Sequence, residues 1–291
     1  MTTLTSSIGN PTLPRPVRPL PNEVLADYLA RLAKANGISR AQLEALLTRR
    51  GPTMRSALAT AVSMRDRALA FALPELRVDA DSDAYPDLVK REVESIGPAC
   101  PLCASRRGER MSFPQVWSTH DSVVCVDHSM WINGPAFRVD LTRPVLKIVG
   151  ASRADILIAH RRHQRLIRHH GRPSIRQAIT DAYDIVERWN YWRPLEPVGF
   201  RLIELQPEET ERGAGTACRN AAMYPEIVRL ATVLSDTAWR RRLLAKDRAS
   251  RGKAMLDLVE LVVDGDTPYR AADPIYEWRL RQLAARDVPR R

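Results

Sequence analysis

Cysteine is scarce in this chain. Four cysteines in 291 residues are too few for a disulfide framework, and the start of the chain has no apolar run able to act as a secretory signal. The first 21 residues hold five prolines instead. Long hydrophobic runs are also missing. The most apolar stretch, residues 256–263, is interrupted by Asp257 and Glu260 and is far too short for a bilayer. A cytoplasmic protein without a membrane segment is therefore expected. Acidic residues are in deficit, with 34 Asp and Glu against 45 Lys and Arg, so the formal charge is +11. Catalytic signatures are lacking too: there is no Gly-rich phosphate loop, no G-x-S-x-G and no H-E-x-x-H. Asp79, Asp81 and Asp83 alternate like the start of a calcium loop, but its glycine and distal glutamate are missing, so they read as a polar turn. No enzymatic activity is expected. What remains, 44% hydrophobic and 27% charged residues, is ordinary for a soluble globular chain with room for two or three small domains.

The few cysteines present are placed informatively. Cys100 and Cys103 form C-x2-C, and after 21 residues Cys125 and His128 form C-x2-H. Each pair makes a tight knuckle, and two knuckles supply the four ligands of a closed tetrahedral zinc shell. One structural Zn2+ is expected, with no open position for water or substrate. A redox C-x-x-C would need a βαβ pattern before Cys100, and none precedes it. Cys218 stands apart and reads as a small core residue. His120, inside the long spacer, is a spare candidate with no short-range partner.

The positive charge is concentrated. Residues 153–176 contain seven arginines (153, 161, 162, 165, 168, 172 and 176) against the single Asp155, a local +6. On a helix, Arg161, Arg165, Arg168 and Arg172 fall at i, i+4, i+7 and i+11 on one face. Ile156, Leu157, His160, His163, Leu166, Ile167 and His170 line another. A concentrated row of arginine suits bidentate phosphate contact, so a polyanion such as double-stranded DNA is the expected partner. The bland alternative is a solvated basic face. Without a Cys or carboxylate beside them, the histidines read as core-edge residues. Arg240, Arg241 and Arg242, beside Trp239, form a second basic segment.

The rest of the pattern is helical. Residues 1–21 read as a loose Pro-rich arm. Asn22 is placed to cap a helix through Val24, Leu25, Tyr28, Leu29 and Leu32, which Asn36-Gly37 ends. Ser39 caps the next helix, with Gln42 completing a capping box. Leu43, Leu46 and Leu47 form its apolar face. This outline is that of a helix-turn-helix, with Ser39 and Arg40 at the start of the groove-entering helix; an ordinary αα-hairpin fits equally. One or two helices are expected over residues 53–71, an acidic turn over 79–86, and a short helix over 87–96. Short strands are expected over 111–117 and 122–125. Trp189, Tyr191 and Trp192 close a helix over 174–192 and are expected in the core. The expected fold class is mostly α: a helix-turn-helix-like N-terminal block, a small zinc-finger or ribbon module, and a C-terminal helical block. The expected segments are 1–21 (arm), 22–97 (helical), 98–150 (zinc module), 151–193 (basic helical), 194–216 (linker) and 217–291 (helical).

Two stretches together resemble the TniQ family, the target-selection proteins of certain transposons. The first is Arg18-Pro19-Leu20-Pro21-Asn22-Glu23, followed by Tyr28-Leu29-Ala30-Arg31-Leu32-Ala33 and Asn36-Gly37. The second is Cys100-Pro101-Leu102-Cys103 with Val124-Cys125-Val126-Asp127-His128. The chain departs from the family pattern after His128, where Ser129-Met130-Trp131-Ile132 follows and no further knuckle appears. Residues 159–171 and 224–228 look like an actinobacterial branch of the family. The resemblance implies a non-enzymatic, DNA-associated adaptor that marks target DNA and recruits a transposition ATPase and a transposase; it is compatible with a homodimer. A zinc-containing transcriptional regulator and a protein-interaction scaffold without DNA binding are the alternatives.

Overall fold

The computed structural model describes residues 12–77, 95–107, 114–119, 121–132, 145–192, 194–205, 214–263 and 273–287. The expected acidic turn at 79–86 and His120 lie outside these. The chain divides into two compact units, Met1–Thr119 and His120–Arg291. That division falls within residues 98–150, which were expected to form one module.

The first unit begins with helix α1, Leu25–Ala35. Tyr28, Leu29, Leu32 and Ala33 recur at helical spacing and are all buried. The cap differs from expectation. Asn22 has a positive φ of 58° and sits outside the helix, and Val24 takes the N-cap position without a side-chain bond. Glu75 supplies the missing acceptor from 50 residues away, taking the Leu25 N–H at 3.0 Å. At the other end Gly37, with φ 67°, allows the Ile38 N–H to return to the Ala33 carbonyl at 3.1 Å. Helix α2, Arg40–Thr48, carries the expected capping box: Ser39 Oγ accepts from Gln42 N–H and Gln42 Oε1 from Ser39 N–H. Leu43 and Leu47 are buried beneath it.

Helices α3 (Met54–Ala61) and α4 (Asp66–Ala72) and a 3-10 turn (Pro74–Arg77) complete the bundle. Its core joins Tyr28, Leu32, Leu43, Leu58, Leu69 and Leu73. The described part of the N-terminal arm is fixed, contrary to the loose arm expected. Leu13 and Leu20 are buried, Leu13 N–H bonds Ala61 O at 2.8 Å, and Tyr28 Oη donates to Val17 O at 2.7 Å. Proline restricts this segment to extended geometry, which lets it lie along the helices.

Strands β1 (Ser95–Pro98) and β2 (Gln115–Ser118) pair antiparallel, Ile96 opposite Trp117 and Gly97 opposite Val116. Residues 95–98 are thus a strand and not the end of a helix; residues 87–94 lie outside the described residues. Pro98 explains the difference, because it disfavours helix at the residue before it. The other edge of β2 bonds residues 22–24, with Val24 N–H to Gln115 O at 2.9 Å and Trp117 N–H to Asn22 O at 2.7 Å. Helix α5, Pro101–Ser105, follows β1 directly, with proline at its first turn.

The second unit opens with three short antiparallel strands, β3 (Val124–Cys125), β4 (Met130–Trp131) and β5 (Leu146–Lys147). Among the described residues seven helices follow: α6 (Ser152–His170), α7 (Arg172–Trp192), α8 (Glu196–Leu205), α9 (Ala214–Ser235), α10 (Thr237–Leu243), α11 (Arg248–Val263) and α12 (Pro274–Asp287). Gly171, with φ 79°, turns the chain between α6 and α7. The stretch 194–216, expected as linker, contains α8 and the start of α9. Val198, Arg201 and Leu205 bury one face of α8, and that spacing outweighs its proline. Helix α9 packs against α6, α7, α8, α10 and α11 and is buried almost all round from Ala217 to Leu234, as a central helix must be. Cys218 is part of this core, as expected.

Candidate metal centre and basic surface

The two knuckles converge. One donor atom from each of Cys100, Cys103, Cys125 and His128 lies within 4.8 Å of the others. Local structure explains each half. Cys100 precedes the first turn of α5, and its carbonyl takes the Ala104 N–H at 3.0 Å, so Cys103 falls on the same side one turn later. Cys125 ends β3, and His128 sits in the tight turn to β4, where Ser129 takes a φ of 50°. Cys125 Sγ lies 3.5 Å from His128 Nδ1. A tetrahedron with Zn–S of about 2.3 Å and Zn–N of about 2.0 Å has an S···N edge of about 3.5 Å. The donor set of three thiols and one imidazole suits zinc chemically, and the Cys125–His128 spacing matches that edge. The four groups are capable of binding a metal.

A polar anchor fixes the second half-site in its own unit. Asp121 is buried and accepts Gln164 Nε2 at 3.0 Å and Arg172 Nε at 3.3 Å. The fully buried Trp131 meets the Tyr224 ring edge-on with centroids 5.2 Å apart, and Tyr224 Oη lies 2.9 Å from His163 Nδ1. These residues tie the segment carrying Cys125 and His128 to α6, α7 and α9. Sequence reasoning missed Asp121, a lone acid in a polar stretch. It also missed the use of Tyr224, whose partner His163 is 61 positions away.

The basic helix has the division expected of it. Ile156, His160, His163, Leu166 and Ile167 are buried, while Arg161, Arg162, Arg165 and Arg168 are exposed. His170 is exposed and does not join the buried stripe. Burial pushes the His160 imidazole below its usual pKa, with Asp121 pulling weakly the other way. The remaining arginines differ in setting. Arg172 is half-buried against Asp121. Arg240 Nη2 donates to Gln282 at 2.7 Å. Arg242 pairs with Asp257 and lies over the Trp239 ring at 4.4 Å, while Arg241 is exposed. In the first unit Ser39 is spent on its cap and Arg40 pairs with Glu44 at 2.7 Å. The aromatic cluster at the end of α7 splits: Trp189 is buried, but Tyr191 is 86% exposed and Trp192 43%, contrary to the core position expected. Both lie in the last turn of α7.

The described residues are mostly helical and bring a Cys3His cluster together. Residues 14–131 match the TniQ family model, a stretch that includes all four ligand candidates and ends before α6. Over those residues the chain is similar to TniQ, a family linked to transposition. No curated protein and no solved structure matches it.

The TniQ signature residues have structural work. Glu23, fully buried, takes Arg31 Nε at 2.7 Å on one oxygen and Arg31 Nη2 at 2.7 Å on the other. The same carboxylate accepts the Leu20 N–H, and Arg31 also reaches the Arg18 carbonyl. The pair clips the Pro-rich arm to α1, with both charges satisfied as burial demands.

Among the described residues no helix is long and apolar enough to cross a membrane.

Proposed function

We propose that this chain is a zinc-stabilised, DNA-binding adaptor of the TniQ type that marks target DNA and recruits transposition partners, an ATPase and a transposase. Cys100, Cys103, Cys125 and His128 hold one structural Zn2+, which cross-links two loops and performs no chemistry. Arg161, Arg165 and Arg168 contact phosphate, with Arg241 as a second point. Arg172, Arg240 and Arg242 already meet Asp121, Gln282 and Asp257, so their role is to position neighbouring elements. The observation that carries the reading is the outer face of α6: its arginines point to solvent on a helix whose opposite face is locked in the core. A cationic row on a packed helix binds a polyanion without a backbone ordering cost on the protein side.

The test is duplex-DNA binding by the full chain across a salt series. Binding should weaken steeply with salt. Replacing Arg161, Arg165 and Arg168 together by Ala should reduce the slope of log K against log salt by about 3, since each lost phosphate contact removes about 0.9. Salt-independent binding, or an unchanged slope in the variant, would refute phosphate contact by α6. A protein partner bound with no DNA affinity at low salt would favour the scaffold alternative.

A further inference from the structure

The first unit holds a second positively charged feature, separate in character from the row on α6. A half-open cleft of about 560 Å3 lies between the Pro-rich arm and the α3–α4 turn. Its walls are mainly apolar, with Pro16, Pro19, Met64 and Phe71 among them. Three arginines also line it, Arg18, Arg65 and Arg107, and none of its described lining residues carries a carboxylate. All three arginines are exposed, and Arg107 is oriented by donating to the Pro19 carbonyl. Phe71 is 74% exposed at the end of α4. Arg77 holds this helix end by donating to the Ala70 and Phe71 carbonyls, and its guanidinium lies 5.8 Å from the Phe71 ring centroid.

This is an unusual place to leave a large aromatic. The walls are built from parts that are already fixed: the arm is held by Glu23 and Arg31, and the turn at Ser63 returns the Met64 N–H to Ala59 O at 2.9 Å. A pre-formed concave surface with an apolar floor and a charged rim is what a peptide ligand needs. DNA is favoured less, because a duplex meets convex rows of cations and gains little from proline and methionine walls.

We propose that this cleft is a docking groove for an acidic peptide segment of a partner protein. Carboxylate side chains of the segment would meet Arg18, Arg65 and Arg107, and an apolar side chain between them would cover Phe71 and Met64. The inference deepens the adaptor reading and rests on its partner-recruiting half. DNA binding by α6 is measured separately, so either can fail alone.

The experiment uses the full chain and a fluorescein-labelled peptide, Glu-Asp-Leu-Phe-Glu-Asp, read by anisotropy. Its neutral counterpart, Gln-Asn-Leu-Phe-Gln-Asn, and single-stranded oligothymidylate are the comparison ligands. The acidic peptide should bind about tenfold or more tighter than the neutral one. The double variant Arg18→Glu with Arg65→Glu should weaken it by about tenfold or more, and Phe71→Ala by several-fold. These side chains are exposed, so both variants should keep the wild-type melting temperature and duplex-DNA affinity. Equal binding of the acidic and neutral peptides would overturn the proposal, as would full affinity in the charge-reversed variant. Oligothymidylate that displaces the peptide and loses affinity in the same variant would also overturn it, reassigning the cleft to nucleic acid.

Discussion

Arg31 and Glu23 are both buried, and each satisfies the other with two hydrogen bonds. Removing one partner leaves the other charged in an apolar setting, at a cost of about 3–5 kcal/mol. Arg31→Ala should therefore lower chemical-unfolding stability by about that much, and Glu23→Gln with Arg31→Met together by less than the single change. A loss in the double variant equal to the sum of the two single losses would show that the pair is not coupled. His160 gives a pH prediction. Burial holds its folded pKa below the ordinary 6.5, so below that pH the unfolded chain takes up a proton that the folded chain resists. The contribution of His160 to stability is present above pH 6.5 and is lost as pH falls toward the folded pKa. His160→Leu should have a shallower fall in stability below pH 6.5 than wild type; an identical fall would contradict this. At this scale the sequence was legible where partners are close in the chain. The Ser39–Gln42 box and the two knuckles rest on spacings of three. Glu23–Arg31, Asp121–Arg172 and Tyr224–His163 need the tertiary fold to bring them together, and no local pattern marks them.

At the scale of elements, α1, α2 and α6 follow from apolar spacing that tertiary packing reinforces. Helix α8 was hidden by Pro197 and Gly199. Its inner face rests on Arg201, a residue that reads as surface-seeking. Arg201 is buried, donates to the Ala222 carbonyl at 2.7 Å, and pairs with Glu226. Pro225 lies inside α9 and cannot donate a backbone N–H to the preceding turn. Arg201 therefore meets α9 in the turn that leads into Pro225. Burial raises the Glu226 carboxyl above its usual range while Arg201 opposes that shift. The hairpin β3–β4 is short, and its position depends on Trp131 more than on its few backbone bonds. Trp131→Ala should cost about 3–5 kcal/mol of stability. Because the same hairpin carries Cys125 and His128, the variant should also bind zinc more weakly in a competition with a chromophoric chelator. Unaltered zinc affinity would show that the metal half-site does not depend on that anchor.

At the scale of the molecule, the mostly helical class was readable from periodicity, and the TniQ likeness was readable from two short motifs. The division at Thr119 was not. Spacing indicated a zinc module over 98–150, but compactness follows long-range packing. There β1 and β2 join the first helical bundle through residues 22–24, while β3–β5 join the second unit. The family match ends at residue 131, so the basic helix α6 and the helices after it are read from their own chemistry alone. The adaptor account needs both parts: a metal held by Cys100, Cys103, Cys125 and His128, and a cationic face on α6.

The most direct test of this account is the zinc content of the purified full chain, measured by native mass spectrometry alongside circular dichroism during chelation. The account predicts one zinc per chain, a loss of cooperative folding when the metal is removed, and no stoichiometric zinc in Cys103→Ser. A metal-free protein with the same melting curve as the untreated sample would contradict it.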